Sequence, residues 1–221
     1  MPATTEIVSA IKPAVSPNWE EAAEAVRAGG VVAFPTDTVY GIGCNPFDVS
    51  AIRAIYRLKG RSSTKALPLL LSGPDQLVRV AKRLTPSASL LGSRFWPGAL
   101  TIVIGRNLDL PPELSGDDTI AVRVPNHEQL RAFLAACGGF LAVTSANPSG
   151  QPDARSAQEV AAYFPSGLAL VVAGGRSPGG RPSTVIDCSK EETVLLRHGA
   201  ISLDNIEQAL ERQVTERHVQ D

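Results

Sequence analysis

The 221-residue sequence has no long hydrophobic run. The longest apolar stretches, Leu67 to Leu71 and Leu168 to Ala173, fall far short of the ~20 residues needed to span a bilayer, so no membrane helix is expected. Met1 to Glu6 lacks the basic start and following apolar stretch of a secretory signal, so the reading is a cytoplasmic protein. Cysteine and histidine are scarce. Cys44, Cys137 and Cys188 are odd in number and form no C-x-x-C, which excludes a disulfide framework and a zinc ribbon and leaves buried apolar roles. His127, His198 and His218 stand at no metal-ligand spacing. An excess of one charge is also missing: 21 basic against 22 acidic residues give a net charge of -1, and aromatics make up 5%. That balance argues against the basic, aromatic-interleaved stripe that holds single-stranded nucleic acid, so direct RNA binding is expected to be weak or absent.

What is present is an alternation of strand and helix signals. Asn18-x-x-Glu21 caps a helix over Trp19 to Ala28, stopped by Gly29-Gly30, and Val31 to Phe34 reads as a buried strand. A helix from Asp48 to Gly60 and a strand at Leu67 to Leu71 follow. Helices are predicted at Asp75 to Lys82 and, with Thr85 as cap, at Pro86 to Phe95. Leu100 to Ile104 and Thr119 to Val124 are strands, Asn126-x-x-Gln129 caps a helix to Ala136, and Leu141 to Thr144 is a strand. Ser156-x-x-Glu159 caps another helix. Strands at Leu168 to Ala173, Thr184 to Asp187 and Thr193 to Leu196 precede a helix after Ser202 that frays into a charged tail. The pattern implies one α/β domain over residues 1–210 with a large mixed sheet, and a tail over 211–221.

Three motifs resemble known sites and fail. Gly41-x-Gly43-x-x-Pro46 has proline where a dinucleotide fingerprint needs its third glycine, and it follows a polar turn. Gly175-x-x-x-x-Gly180-Arg181-Pro182 has arginine and proline where a P-loop needs lysine and Ser/Thr. In Gly175-Arg176-Ser177-Pro178-Gly179, Pro178 has no N–H for an oxyanion hole.

Four polar clusters each follow an apolar element, where open α/β sheets bind ligands. They are Pro35 to Gly41, Lys59-Gly60-Arg61, Ser145 to Pro148, and Arg181 to Thr184 together with Arg197 to Gly199. Lys59 and Arg61, two residues apart, repel unless an anion such as phosphate lies between them, so both are expected to be exposed in a cavity. Ser145 and Asn147, at alternate positions, can point into one crevice. Asp37 is a candidate magnesium ligand, though no acidic pair stands out.

In this order the clusters resemble the YrdC/TsaC family of L-threonylcarbamoyl-AMP synthases. The matching text is Phe34-Pro-Thr-Asp-Thr-Val-Tyr-Gly-Ile-Gly43, Lys59-Gly-Arg61, Phe95-Trp-Pro-Gly-Ala-Leu-Thr101, Ala121-Val-Arg-Val-Pro125, Thr144-Ser-Ala-Asn147, Ser183-Thr-Val-Ile-Asp187 and Leu196-Arg197. Ser62, Arg181-Pro182 and His198 depart from the family pattern. The resemblance implies a twisted mixed sheet around a concave basic cavity, in the short, single-domain form. It implies a nucleotidyltransferase taking ATP, L-threonine and bicarbonate to threonylcarbamoyl-AMP and pyrophosphate, with Mg2+ accompanying ATP and no organic prosthetic group. The product passes to a threonylcarbamoyl transferase complex acting on tRNA. By the same resemblance Lys59 and Arg61 are catalytic, and ATP is held by Lys59, Arg61, Thr119, Ser145, Asn147 and Arg197. Thr36, Tyr40, Arg123 and Ser183 face threonine, with Val39 or Val143 against its methyl group. The alternative is an RNA-binding module using the same surface without small-molecule chemistry.

Overall fold

The computed structural model describes residues 13–62 and 65–217, so Met1 to Glu6, His218 and the end of the charged tail lie outside the described residues. In chain order the strands are β1 (Ala14–Ser16), β2 (Val32–Phe34), β3 (Gly41–Cys44), β4 (Leu69–Leu71), β5 (Ala81–Arg83), β6 (Leu100–Arg106), β7 (Thr119–Arg123), β8 (Phe140–Ser145), β9 (Leu170–Val172), β10 (Thr184–Asp187), β11 (Val194–Arg197) and β12 (Thr215–Glu216). The helices are α1 (Trp19–Arg27), α2 (Val49–Lys59), α3 (Leu77–Val80), α4 (Pro86–Phe95), α5 (Glu128–Ala136), α6 (Ala157–Tyr163) and α7 (Leu203–Leu210). Among the described residues no helix is long and apolar enough to cross a membrane.

One mixed sheet runs β1-β9-β2-β3-β8-β4-β7-β6-β10-β11-β12, with β5 paired to β6 beside this path. Its two faces are set by strict alternation along the strands. Ile42, Leu69, Leu71, Ile102, Ile104, Ile120 and Val122 join α2 and α4 in the larger core. Val32, Phe34, Leu70, Leu141, Val143 and Leu170 join Val26 of α1 and Leu130, Phe133 and Leu134 of α5 in the second. The Phe34 and Phe133 rings meet there at 5.4 Å.

The second core stops partway across the sheet. Leu70 pairs with Arg123, which fixes Arg123 on the α1/α5 face. On β7, β6 and β10 that face carries Thr119, Ala121, Arg123, Thr101, Val103, Gly105 and Val185, none of which enters the second core. The burial of these strands alternates accordingly, buried toward the larger core and largely half-buried on the other side. Among the described residues, the second core does not extend over this part of the sheet, which leaves room there for polar chemistry.

Four sequence expectations change. Gly41 to Cys44, where the sequence reading has no strand, forms β3 directly after the polar turn, antiparallel to both β2 and β8. Its glycines hid the strand signal, and they are there for packing: a Cβ on Gly43 would lie 3.0 Å from Val143 and 3.1 Å from Phe34. The predicted helix Asp75 to Lys82 shrinks to a 3-10 turn at Pro74–Gln76 and the single turn of α3, because Ala81 to Arg83 leaves as β5 to pair with β6. The cap of α5 is His127, whose Nδ1 accepts from Leu130 N at 3.2 Å, not Asn126. The C-terminal segment does not fray directly after α7. Thr215 and Glu216 pair with Val194 and Leu195, and Arg212 donates to Ser87 Oγ at 2.7 Å and Thr193 Oγ1 at 2.8 Å.

Candidate functional site

The C-terminus of α2 delivers Lys59. Asp48 caps the helix through the amides of Ser50 and Ala51, and Gly60, at φ 58, ends it in a left-handed turn that a side chain would strain. Lys59 is 4% exposed, so it is packed and not, as its sequence context suggested, exposed in a cavity. Its Nζ donates to Ser145 O at 2.6 Å, Asn147 O at 2.7 Å and Asn147 Oδ1 at 3.3 Å. These three acceptors match the three ammonium donors. Burial and then the nearby Arg61 charge push the amine down to about 8, with the Asp153 carboxylate pulling it the other way.

The turn after β8 is held by the same lysine. Ser145 Oγ donates to Asn147 Oδ1 at 2.5 Å, and Asn147 Nδ2 donates to Gln151 O at 2.5 Å and Pro148 O at 3.2 Å. Arg61 donates to Thr144 Oγ1 at 3.2 Å and to Ala66 O at 3.0 Å, and its Nε is buried without a partner. Lys59, Arg61, Ser145 and Asn147 are therefore brought together as the sequence suggested, with Lys59 inside the cluster.

The β2–β3 connection forms the next part. Thr36 Oγ1 donates to Val39 O at 2.7 Å and accepts from Thr38 N at 3.0 Å, so its hydroxyl shapes its own turn. Tyr40 is fully buried. Its hydroxyl donates to Gly175 O at 2.8 Å and accepts from Gly174 N at 3.3 Å, and burial pushes its pKa up, so it stays a donor at neutral pH. Ala146 N donates to Tyr40 O at 2.8 Å, which joins this turn to the Ser145–Asn147 turn.

Asp37 leaves that turn for the open face. Its Oδ2 accepts from Arg123 Nη2 at 2.6 Å and from Asn126 N at 3.1 Å, with side chains 14% and 9% exposed for Asp37 and Arg123. Gly41 pairs with Ser145 at one end of the sheet, whereas Arg123 ends β7 toward the other end, so the turn arches across the face to make this pair. Arg123 Nε donates to Gly98 O at 2.9 Å. Beyond it, Thr101 Oγ1 and Ser183 Oγ lie 2.8 Å apart, and Arg197 donates to Ser183 O at 2.9 Å and to Ser183 Oγ at 3.2 Å. The sequence offered no signal for the Asp37–Arg123 pair, 86 residues apart, or for the supporting Gly98 carbonyl.

Thr119 stands apart in its bonding, its hydroxyl donating to Asp117 at 2.6 Å. It nevertheless shares the face and end of Ser145: Val122 and Ala142 both pair with Leu69, and Thr119 lies three residues before Val122 as Ser145 lies three after Ala142. Val143, suggested for a substrate methyl, is 5% exposed and packs in the second core over Gly41 and Gly43. Cys44 is likewise buried away from the open face, and burial pushes its thiol up to about 12. Cys188 is buried too, while Cys137 is only half-buried. Of the candidate magnesium ligand Asp37, Arg123 and Asn126 N hold one oxygen, and among the described residues no three His, Cys, Asp or Glu gather as a metal cluster.

Comparison with known proteins places this geometry in context. The Sua5/YciO/YrdC family model, described as telomere recombination, matches residues 24–199. Threonylcarbamoyl-AMP synthase of Pyrococcus abyssi is 39% identical over 190 residues, covering 86% of this chain and 56% of that protein. The protein of the same name from Bacillus subtilis is 38% identical over 193 residues, with the same two coverages. The chain thus spans little more than half the length of these relatives. The crystal structure of P. abyssi Sua5 complexed with L-threonine superposes with a TM-score of 0.86 at 35% identity, over 94% of this chain and 62% of that one. With most of its length matched by the family model and its fold shared with Sua5, the chain belongs to the Sua5/YciO/YrdC family.

Proposed function

We propose that this chain is a nucleotidyltransferase that forms threonylcarbamoyl-AMP and pyrophosphate from L-threonine, bicarbonate or CO2, and ATP. The product then serves a transferase complex that modifies tRNA next to the anticodon. The observation that carries the reading is the Asp37–Arg123 bridge. It draws the Thr36–Tyr40 turn across the strip of sheet that the second core leaves open, between the Lys59–Asn147 cluster and the Ser183–Arg197 cluster. The 39% identity to a threonylcarbamoyl-AMP synthase and the likeness to a Sua5 complexed with L-threonine support the choice of substrates.

The chemistry suits such a site. The threonine amine takes up CO2 to form a carbamate, and a carbamate oxygen attacks the α-phosphorus as pyrophosphate leaves on the opposite side. The step forms one P–O bond and breaks another, so it needs alignment and neutralised charge more than a protein nucleophile. Arg61 supplies the direct cationic contact on the nucleotide side, with the Ser145–Asn147 turn and Thr119 at the same end, while Arg197, the further nucleotide cation, stands with Ser183 across the strip. Lys59 acts there through its charge and by fixing the Ser145–Asn147 backbone. On the amino-acid side Arg123 is the cation available to a carboxylate. Ser183 and the Thr36 turn surround it, and Tyr40 sets that turn from beneath. Asp37 Oδ1, buried without a partner, is an acceptor suited to a substrate donor. Magnesium enters with ATP as part of the substrate, and no step is assigned to a metal cage in the protein.

The test is to incubate the chain with ATP, bicarbonate and each of the twenty amino acids and measure pyrophosphate. Release is expected with threonine and bicarbonate together and to fall sharply when either is left out. Release independent of the amino acid would refute the reading.

A further inference from the structure

The loop over residues 174–180 is held down from two sides. On one side it meets the turn that carries Thr36 to Tyr40. Tyr40 donates to Gly175 O at 2.8 Å, Gly179 N donates to Thr38 O at 2.8 Å, and a Cβ on Gly174 would collide with Pro35. On the other side it meets Arg155, whose Nε and Nη2 each donate to Ser177 O at 3.4 Å and whose Nη2 also donates to Pro178 O. Ser177 N returns a bond to Arg155 O at 2.8 Å, and a Cβ on Gly179 would strike the Arg155 guanidinium. The glycines let the backbone approach both partners this closely.

Glu159, on α6, ties the two sides together. Its Oε2 accepts from Arg155 N at 2.7 Å, and its Oε1 accepts from Arg176 Nη1 at 2.9 Å. One carboxylate thus holds the residue that supports the loop and a residue of the loop itself. In a capping box the glutamate at this position reaches back to the cap amide. Here Ser156 still caps the helix, its Oγ accepting from Glu159 N at 3.2 Å, but the carboxylate reaches past the cap to Arg155 and Arg176. Hydrogen bonds from the Arg155 backbone amide and the Arg176 guanidinium hold the Glu159 carboxyl below its ordinary value, so it is an anion at neutral pH.

We propose that Glu159 is a positioning residue: through Arg155 and Arg176 it sets the 174–180 loop against the Thr36–Tyr40 turn and thereby fixes the amino-acid side of the site. The assignment of that side rests on the function proposed above. The holding action itself does not.

The test compares the wild-type chain with Glu159→Ala, Glu159→Gln and Ser156→Ala. The last removes the cap hydroxyl while keeping the carboxylate, so it reports what weakening the start of α6 does by itself. Hydrogen exchange at Ser177 and Gly179 should quicken in Glu159→Ala, less in Glu159→Gln, and stay at the wild-type rate in Ser156→Ala. In steady-state turnover, the KM for threonine should rise about 3- to 10-fold in Glu159→Ala while the KM for ATP changes less than about 2-fold, a modest effect because the carboxylate is partly solvated. Exchange in Glu159→Ala confined to the first turn of α6, or matched by Ser156→Ala, would overturn the proposal. So would an equal rise in both KM values. If no threonine-dependent turnover exists in any of the chains, the synthase reading fails, and the exchange rates alone still decide the role of Glu159.

Discussion

Lys59 and Arg123 are cations buried to nearly the same degree, at 4% and 8% exposure, yet the fold keeps them in opposite ways. Arg123 has a carboxylate partner, Asp37, at 2.6 Å. Among the described residues Lys59 has none within ion-pair distance, and it is held by oxygens of the Ser145–Asn147 turn. A charge pair survives only as a pair, since removing either member strands the other in a poor solvent. A cation among carbonyls instead organises neutral backbone, and its loss strands dipoles. The first arrangement ties the β2–β3 turn to β7, and the second ties the end of α2 to the turn after β8. Both join segments 86 residues apart in the sequence, but the Asp37–Arg123 bridge also crosses the strands that lie between β2 and β7.

The largest effect is expected where the pair is broken. Asp37→Asn keeps the shape but leaves Arg123 without a counter-charge, and should lower unfolding stability by about 3 kcal/mol. In urea the midpoint should fall with little change in slope. An unchanged midpoint would mean that the bridge does not hold the turn to the sheet.

Lys59→Met comes next. It leaves Ser145 O and Asn147 O without their donor while sparing the cost of burying a charge, for a net loss of about 1 to 3 kcal/mol in the same measurement. Wild-type stability in this variant would show the amine to be free for direct phosphate contact after all.

The smallest effect is a dependence on pH. Lys59 titrates at about 8 in the folded chain against an ordinary 10.5. Between these values the unfolded chain binds more protons, so wild-type stability should rise relative to Lys59→Met as pH climbs through the window. Below about 8 the difference should be flat. Urea titrations of both chains at about pH 7 and about pH 9.5 measure it, and a gap that narrows on the alkaline side would contradict the buried environment of the amine.

Much of this comparison was legible in the sequence on the side of Lys59. Asp48 and Gly60 mark the ends of α2, and short spacing brings Lys59 and Arg61 together, because caps and turns are local chemistry. Its burial was not legible, since lysine at a helix end ordinarily faces water. On the side of Arg123 the sequence placed β7 but not the partner. Asp37 reaches Arg123 only through the order of strands, and that order depends on β3, whose glycines at 41 and 43 answer to Val143 and Phe34 and weaken the strand signal. β5 and β12 escaped for a related reason: Lys82-Arg83 and Thr215-Glu216 are polar, short edge pairings that carry no apolar alternation. The mixed α/β sheet followed from the alternating strands and helices, and the part of one face that the second core leaves open emerged only from register.

If the bridged strip joins a threonine carbamate to AMP, as proposed, the products must show it. They are read by mass spectrometry after reaction with ATP, L-threonine and carbon-13 bicarbonate. An adenylate that contains threonine and carries the label in its carbamoyl carbon is expected, formed in step with pyrophosphate. An adenylate of threonine without the label, or pyrophosphate with no adenylate, would contradict the proposal.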